Sequence, residues 1–480
     1  MRGLRLITLA AIPALVLSAC SSTEATPTTA AESQGATPTP VVQPGTTVVR
    51  WFVGLGSGTQ PNQIEAQKTF VKNYNESQSK IYINLEIVPN ANAYDILKTE
   101  IAADNAPDII GPVGVRGRNG FSGVFLDLTT EIEKANYDTS KFPQALVDFF
   151  NQGGEGQVGL PYLIYPAYMF YNKDIFAQQS LPDLPAKVGD QWNGQDYTWD
   201  TIAEIGKMVT VDSAGKKSTD AGFNKNDIVQ FGFDAQWWDW RRLMSAFGGG
   251  SLVADDNKTA QIPAAWVTGS KWYYDAMWKY SFAPTGKYRS SALLNQGTTV
   301  SSGRIAMDAA NGWSINSYGT VDNSKIKKWD MAVLPATESG KPSGPLDADT
   351  FTIIKNSEHP SEAFEAMVAI MADKDLQIVY GGTPAALADQ QDWFDDFDAT
   401  LADVFPGNQV TWSVLQEMQN YPAVPSHEVD MPNFLKIIDL YNAFYTKLQS
   451  QDGLNVDNEL NQLKADVQKA VDEAAASPAA

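Results

Sequence analysis

Carboxylates and aromatic rings are the side chains of this sequence that could do chemistry, while histidine and cysteine are nearly absent. The 480 residues include 56 Asp and Glu against 35 Lys and Arg, together with 13 Trp and 18 Tyr. There are two histidines and one cysteine. With only His359 and His427 available, a zinc centre is all but excluded. A Ser-His-Asp relay is disfavoured too, because His359 stands against Pro360 at a helix start. No Walker loop is present. Gly154 to Gly159 matches G-x-G-x-x-G but precedes a strand instead of opening a helix, so it reads as a turn. Paired carboxylates for glycoside hydrolysis need only lie about 5 to 10 Å apart in space. So many acids leave that open, and no local signature supports it. "DSAGKKSTDAGFNKND" places Asp212, Asp220 and Asp227 among turn residues that could offer oxygens to calcium. Its spacing departs from the twelve-residue EF-hand loop, and a solvated hairpin is the preferred reading.

The aromatic residues are concentrated. "LPYLIYPAYMFYNKDIF", residues 160 to 176, packs tyrosines and phenylalanines around Pro161 and Pro166 before turning polar at Asn172. Trp237, Trp238 and Trp240 flank Asp239, and Trp313 follows Gly312. A single large aromatic is ordinarily a core residue. Adjacent tryptophans cannot all face one core, however. Trp237 and Trp238 beside Asp239 would suit the apolar face of a sugar ring and its hydroxyls respectively.

The elements that must position these groups follow from charge and periodicity. Arg2 and Arg5 precede an apolar run from Leu6 to Leu17, which describes a secretory signal over residues 1–19, too short to span a bilayer. Leu17-Ser18-Ala19-Cys20 resembles the lipobox of bacterial lipoproteins, which implies that Cys20 is lipidated. The Ser, Thr, Ala and Pro of residues 20–46 read as a disordered linker, and 471–480 as a flexible tail. The remainder is long enough for two lobes. A net charge of −21 argues against nucleic acid and anionic lipid surfaces as partners. "TTVVRWFVG" predicts a strand, Pro61 to Tyr74 a helix, "IYINLEIV" a strand, Asn92 the cap of a helix, and Asp108 to Ile110 a further strand. That alternation is the rhythm of an α/β lobe with a mostly parallel sheet. Thr198 should cap the helix "TWDTIAEIGKMVT", and Pro360 should open another after the strand "TFTIIKN".

Taken together, "NAPDII", "FLDLT", "LPYLIYPAYMFYNKDIF", "SSGRIAMDAANGWSIN" and "KWDMAVLPA" resemble, in order and spacing, the extracellular solute-binding proteins of carbohydrate ABC importers, of the maltose-binding type. The resemblance covers most of residues 47 to 470. It implies a periplasmic-binding-protein-like fold of two α/β lobes with a ligand cleft between them. Lobe one is expected from 47–163 plus 347–381, and lobe two from 164–346 plus 382–470. Chain crossings are expected within Leu160 to Met169, near Pro345 to Asp349 and near Gly381 to Pro384. The implied role is a lipid-anchored, extracytoplasmic, monomeric receptor that hands a sugar or oligosaccharide to importer permease subunits, with no cofactor, metal or catalysis.

Candidate ligand contacts carried over by motif are Ser57 and Thr59 in the first loop, Arg116 after "PDII", and Trp313 in "GWSIN". Looser matches point to Trp237, Trp238 and Asp239, and to His427 and Glu428 in "YPAVPSHEVD". Tyr162, Tyr165 and Tyr168 are expected at the cleft floor. Asp349 stands where relatives carry a small residue, and it could accept hydroxyls or reject acidic sugars. The alternatives are the same fold binding a polyamine, peptide or glycerol phosphate, or a secreted glycan-active enzyme.

Overall fold

The computed structural model describes residues 42–476 apart from 152–153, 316–317 and 319–323. Cys20 and the leader therefore lie outside the described residues, as does the end of the tail. Among the described residues, no helix is long and apolar enough to cross a membrane.

Eleven described strands form two sheets, one in each lobe. In chain order they are β1 (Thr47–Val53), β2 (Ile81–Ile87), β3 (Ile109–Val113), β4 (Leu160–Tyr165), β5 (Ala167–Asn172), β6 (Val211–Asp212), β7 (Ile228–Asp234), β8 (Ile305–Asn311), β9 (Trp329–Ala332), β10 (Asp347–Ile353) and β11 (Thr383–Pro384). The first sheet has the order β11-β4-β10-β3-β1-β2, and the second β6-β7-β8-β5-β9. Both are mixed. Parallel pairing is confined to β1 with β2 and β3, and to β7 with β8. Strands β4, β10 and β11, which belong to the chain crossings, pair antiparallel. A segment returning from the other lobe enters the sheet from the opposite end, so the strictly parallel alternation of a βαβ series stops there.

The aromatic stretch of residues 160–176 has a structural cause. Leu160 to Tyr165 lies in the first sheet and Ala167 to Asn172 in the second, with Pro166 between them. Proline lacks an N–H for a ladder and restricts the residue before it, so the strand breaks there and changes sheet. Both halves are buried throughout, which explains why no polar alternation is visible. Asn172 then ends the run by capping the helix Lys173–Gln178, its side chain accepting from the N–H groups of Asp174 and Ile175 at 3.0 and 3.2 Å.

Local signals account for most other boundaries. Thr198 caps Trp199–Val209, and Pro360 opens Pro360–Met371. Asn92 is not a cap. The helix starts at Asn90 behind Pro89, whose φ of −54° presets the turn. Asn90 faces the first loop instead, donating to the Gly56 carbonyl at 3.0 Å and accepting from Thr59. Asp212 organises its hairpin by accepting from the backbone N–H groups of Ala214, Lys216 and Asn224. Those bonds hold both carboxylate oxygens, in keeping with the solvated-turn reading.

Candidate functional site: the cleft at strand β10

Strand β10 carries Asp347 and Asp349 two residues apart, so both side chains leave the same face. Leu346 and Ala348 on the opposite face pack with Phe142, Leu146, Phe150 and Ile164. The acids enter a cavity of about 570 Å³, lined also by Ser57, Asn90, Tyr94, Tyr165, Arg242, Trp313 and Glu428. Residues from the first loop, the β4 end, the Trp240–Ser245 helix and the 427–428 loop thus converge on one strand. The register between β10 and β4 shifts after Asp349, which faces Leu163 while Thr350 faces Pro161. That irregularity lies beside the acid and alters the regular alternation there.

The two carboxylates live in opposite electrostatic settings. Asp349 is 7% exposed. Its Oδ2 accepts from the Tyr165 hydroxyl at 3.1 Å and from Ser57 Oγ at 3.3 Å, both neutral donors. Burial raises its pKa to about 7; the hydrogen bonds from Tyr165 and Ser57 oppose that shift, and the nearby Asp347 charge adds to it. Burial works against ionisation of Asp347 as well. There the Arg242 guanidinium and the His427 ring outweigh it and hold the carboxyl well below its usual range. Arg242 is ion-paired to Asp347 Oδ2 and lies 3.8 Å from Glu428. His427 Nε2 is 3.2 Å from Asp347 Oδ1. Burial raises the pKa of Glu428, with Asp347 adding to the shift.

Asp347, His427 and Glu428 bring possible metal ligands within 4.8 Å of one another. The Arg242 guanidinium already supplies the positive charge at that point, and a divalent cation beside it would be repelled. The trio is better described as one charge network with Arg242.

Trp313 organises the cleft's width. Its Nε1 donates to Asp347 Oδ2 at 2.7 Å, and its ring meets Trp237 edge-on at a centroid distance of 6.3 Å. The Arg242 guanidinium lies 5.8 Å from the ring centroid. Gly56, Ser57, Asn90 and Trp313 line a second cavity as well, of about 1030 Å³, which extends to Gln60, Asn62, Asp375, Tyr380 and Phe397. The first loop that borders both is tied down at Gly58, whose N–H donates to Gln63 Oε1 at 2.8 Å and whose carbonyl accepts from Gln67 at 2.7 Å. Its φ of +115° and the 2.5 Å between a would-be Cβ and Val53 require glycine. A larger cavity of about 1160 Å³, among Leu146, Phe149, Phe247, Leu346 and Val424, is mainly apolar. Glu428 borders it as well, but it lacks the facing Asp347 and Asp349 that mark the β10 cleft as the binding candidate.

Of the side chains singled out from sequence, Ser57, Tyr165, Trp313, Asp349 and Glu428 meet in the first cavity, and Thr59 lies in the second. His427 stands behind Asp347, 2% exposed. Trp237, 42% exposed, borders Trp313. The side chain of Arg116 lies outside the described set. Four residues belong elsewhere. Tyr168 is buried in the second lobe's core, its hydroxyl shared with Ser314 and Tyr318 at 3.1 Å. Trp238 is buried there too and donates to Asn311 Oδ1 at 2.8 Å. Asp239 caps the helix Trp240–Ser245, accepting from the Arg242 N–H at 2.9 Å and the Tyr441 hydroxyl at 3.1 Å. Tyr162 is also core, packed edge-on against Phe351. Sequence reasoning missed Asp347, Arg242 and Asn90. The spacing of Asp347 and Asp349 in "LDADT" was the available signal for the first, since strand alternation puts both acids on one face.

Similar architectures occur among solved structures. A Listeria monocytogenes ABC substrate-binding protein in complex with cycloalternan is 20% identical, with a TM-score of 0.65 over 89% of this chain and 99% of the other. An Arthrobacter globiformis cyclic alpha-maltosyl-1,6-maltose binding protein is 16% identical, with a TM-score of 0.65 over 89% and 100%. UgpB from Mycobacterium tuberculosis, in complex with glycerophosphocholine, is 14% identical, with a TM-score of 0.61 over 89% and 99%. At these identities the likeness establishes the two-lobed periplasmic-binding-protein fold. Residues 69–399 match the sequence model of the bacterial extracellular solute-binding proteins. The chain belongs to that family.

Proposed function

We propose that this protein captures a sugar or oligosaccharide between its lobes and delivers it to an ABC importer, held outside the cytoplasmic membrane by a lipid on Cys20. The observation that carries the reading is Trp313, a ring fixed by its own N–H to Asp347 at the edge of a cavity rich in hydrogen-bond acceptors. A flat aromatic face suits the C–H face of a pyranose, and carboxylates beside it suit the ring's hydroxyls. The cycloalternan and cyclic alpha-maltosyl-1,6-maltose named for the Listeria and Arthrobacter proteins support the same class. The lobes would be 47–163 with 347–381, and 164–346 with 382–470, acting as a monomer. A ligand touching both would favour their closed arrangement by its differential affinity for it.

One observation keeps a second reading in view. Among the described side chains of the first cavity, Asp347, Asp349 and Glu428 face a single cation, Arg242. Such a setting beside Trp313 and Trp237 suits a quaternary ammonium, and the glycerophosphocholine of the UgpB complex is a ligand of that kind. Mass spectrometry of the small molecule released by denaturing gently purified protein tests the choice. A hexose-containing ligand is expected; a choline or polyamine would overturn the sugar reading. Membrane fractionation of Cys20→Ala tests the anchor, and unchanged membrane association would refute it.

A further inference from the structure

We infer that the cleft is a two-chamber site for a ligand of at least two sugar units, one on each side of Trp313. This rests on the sugar-binding reading above and specifies the size and disposition of the ligand. Each cavity is by itself of the size that encloses a small molecule, roughly 300–1,000 Å³, and the two share Trp313 and the Gly56-Ser57 loop as a common wall. Trp313 is not free to swing and merge them. Its Nε1 is bonded to Asp347, Trp237 abuts its ring edge-on, and Arg242 lies within cation–π range of it.

The two chambers are chemically unlike. The inner one is acidic, lined by Asp347, Asp349 and Glu428, with Asp347 Oδ1 paired to His427 Nε2 at 3.2 Å. It is built to accept hydroxyl protons. The outer one is lined by the neutral side chains of Gln60, Asn62 and Thr59, by Asp375 at the side and by Phe397. Tyr380 also lines it. That side chain is 3% exposed, and its hydroxyl has no hydrogen-bond partner among the described residues. A buried hydroxyl left unpaired is destabilising, and a ligand hydroxyl reaching this wall would relieve that. Amides and a phenol both donate and accept, so the outer chamber fits an uncharged polyol, while Phe397 supplies an apolar surface for its C–H face.

The test is calorimetry on the full mature chain with glucose, mannose, maltose, cellobiose and mannobiose. At least one disaccharide should bind ten-fold or more tightly than its own monosaccharide. Asn62→Ala, an exposed position, and Tyr380→Phe, which keeps the packed ring, should each weaken that disaccharide several-fold. Both variants should leave monosaccharide affinity within two-fold. Equal affinity for monosaccharide and disaccharide, or an equal loss of both in the two variants, overturns the two-chamber inference and leaves sugar binding standing. Failure of every sugar to bind, with glycerophosphocholine binding instead, overturns the sugar reading itself.

Discussion

Trp313 donates its indole N–H to the same Asp347 oxygen that pairs with Arg242. A ring following strand β8 and a cation on the helix Trp240–Ser245, both from the second lobe, are thereby fastened to β10, a strand of the first sheet. The candidate binding surface and the junction between lobes therefore share one carboxylate. Changes at either should be felt at the other.

Trp313→Ala should weaken sugar binding by about 2–3 kcal/mol, near a hundred-fold, from lost ring stacking and apolar contact. Because the ring is only partly buried, ligand-free melting should fall by a few degrees at most. Trp313→Phe keeps a ring but loses the bond to Asp347, so it should lie between. Calorimetry and melting on the same proteins separate the effects. A large loss of stability with unchanged affinity would make Trp313 a core residue.

Arg242→Ala leaves Asp347 buried without its strongest counter-charge. Stability should drop by about 3–5 kcal/mol, as for other broken buried pairs. The double variant with Asp347→Asn should be less damaged than the sum of the single changes, by at least about 1 kcal/mol. Urea unfolding of all four proteins measures the coupling. Additive losses would mean that Arg242 and Asp347 do not act as a pair.

How much of this could be read beforehand depended on the kind of signal. Helix and strand positions were legible because their signals are local: Thr198, Asn172 and Pro360 act within one turn, and the alternation in "IYINLEI" lies within β2. Trp237 and Trp238 were not distinguishable by type. One borders the cleft and the other is bonded to Asn311 in the core, and that difference is set by packing between distant segments. Asp239 illustrates the same limit. A carboxylate ahead of a helix can cap it or face a ligand, and here two internal donors take it. Arg242 reads as an ordinary helix cation until β10, 105 residues further on, is placed against it.

A ligand that contacts both lobes should draw them together by bending at the chain crossings near Pro166, Pro345 and Gly382. Small-angle scattering with saturating ligand should therefore show a smaller radius of gyration than without. An unchanged value would argue that the ligand binds one lobe alone.

Asp349 should make stability depend on pH between about 4 and 7. Its carboxyl titrates near 7 in the fold, against an ordinary value of 3.8. In that window the folded chain holds a proton that the unfolded chain has released, so raising the pH favours unfolding. The stability attributable to protonated Asp349 is fully present below about pH 4. It is lost as the pH rises through the folded value, by on the order of 4 kcal/mol in all. Glu428, also shifted upward, acts in the same direction. Asp347 acts in the opposite sense, since its depressed value makes its contribution present above 3.8 and lost only in stronger acid. The groups facing Asp349 are Ser57, Tyr165, Asp347 and Glu428, and none of these changes charge as Asp349 becomes Asn except through the relief of repulsion. Asp349→Asn should therefore flatten much of the wild-type decline between pH 4.5 and 7.5, leaving the slope due to Glu428. Urea midpoints of the two proteins across that range provide the comparison. If the two curves run parallel, Asp349 is ionised throughout, and a positive group must compensate it in the free protein. If they converge towards acid and separate at neutral pH, with the variant the more stable, the buried carboxyl costs the empty cleft stability that a bound ligand can restore.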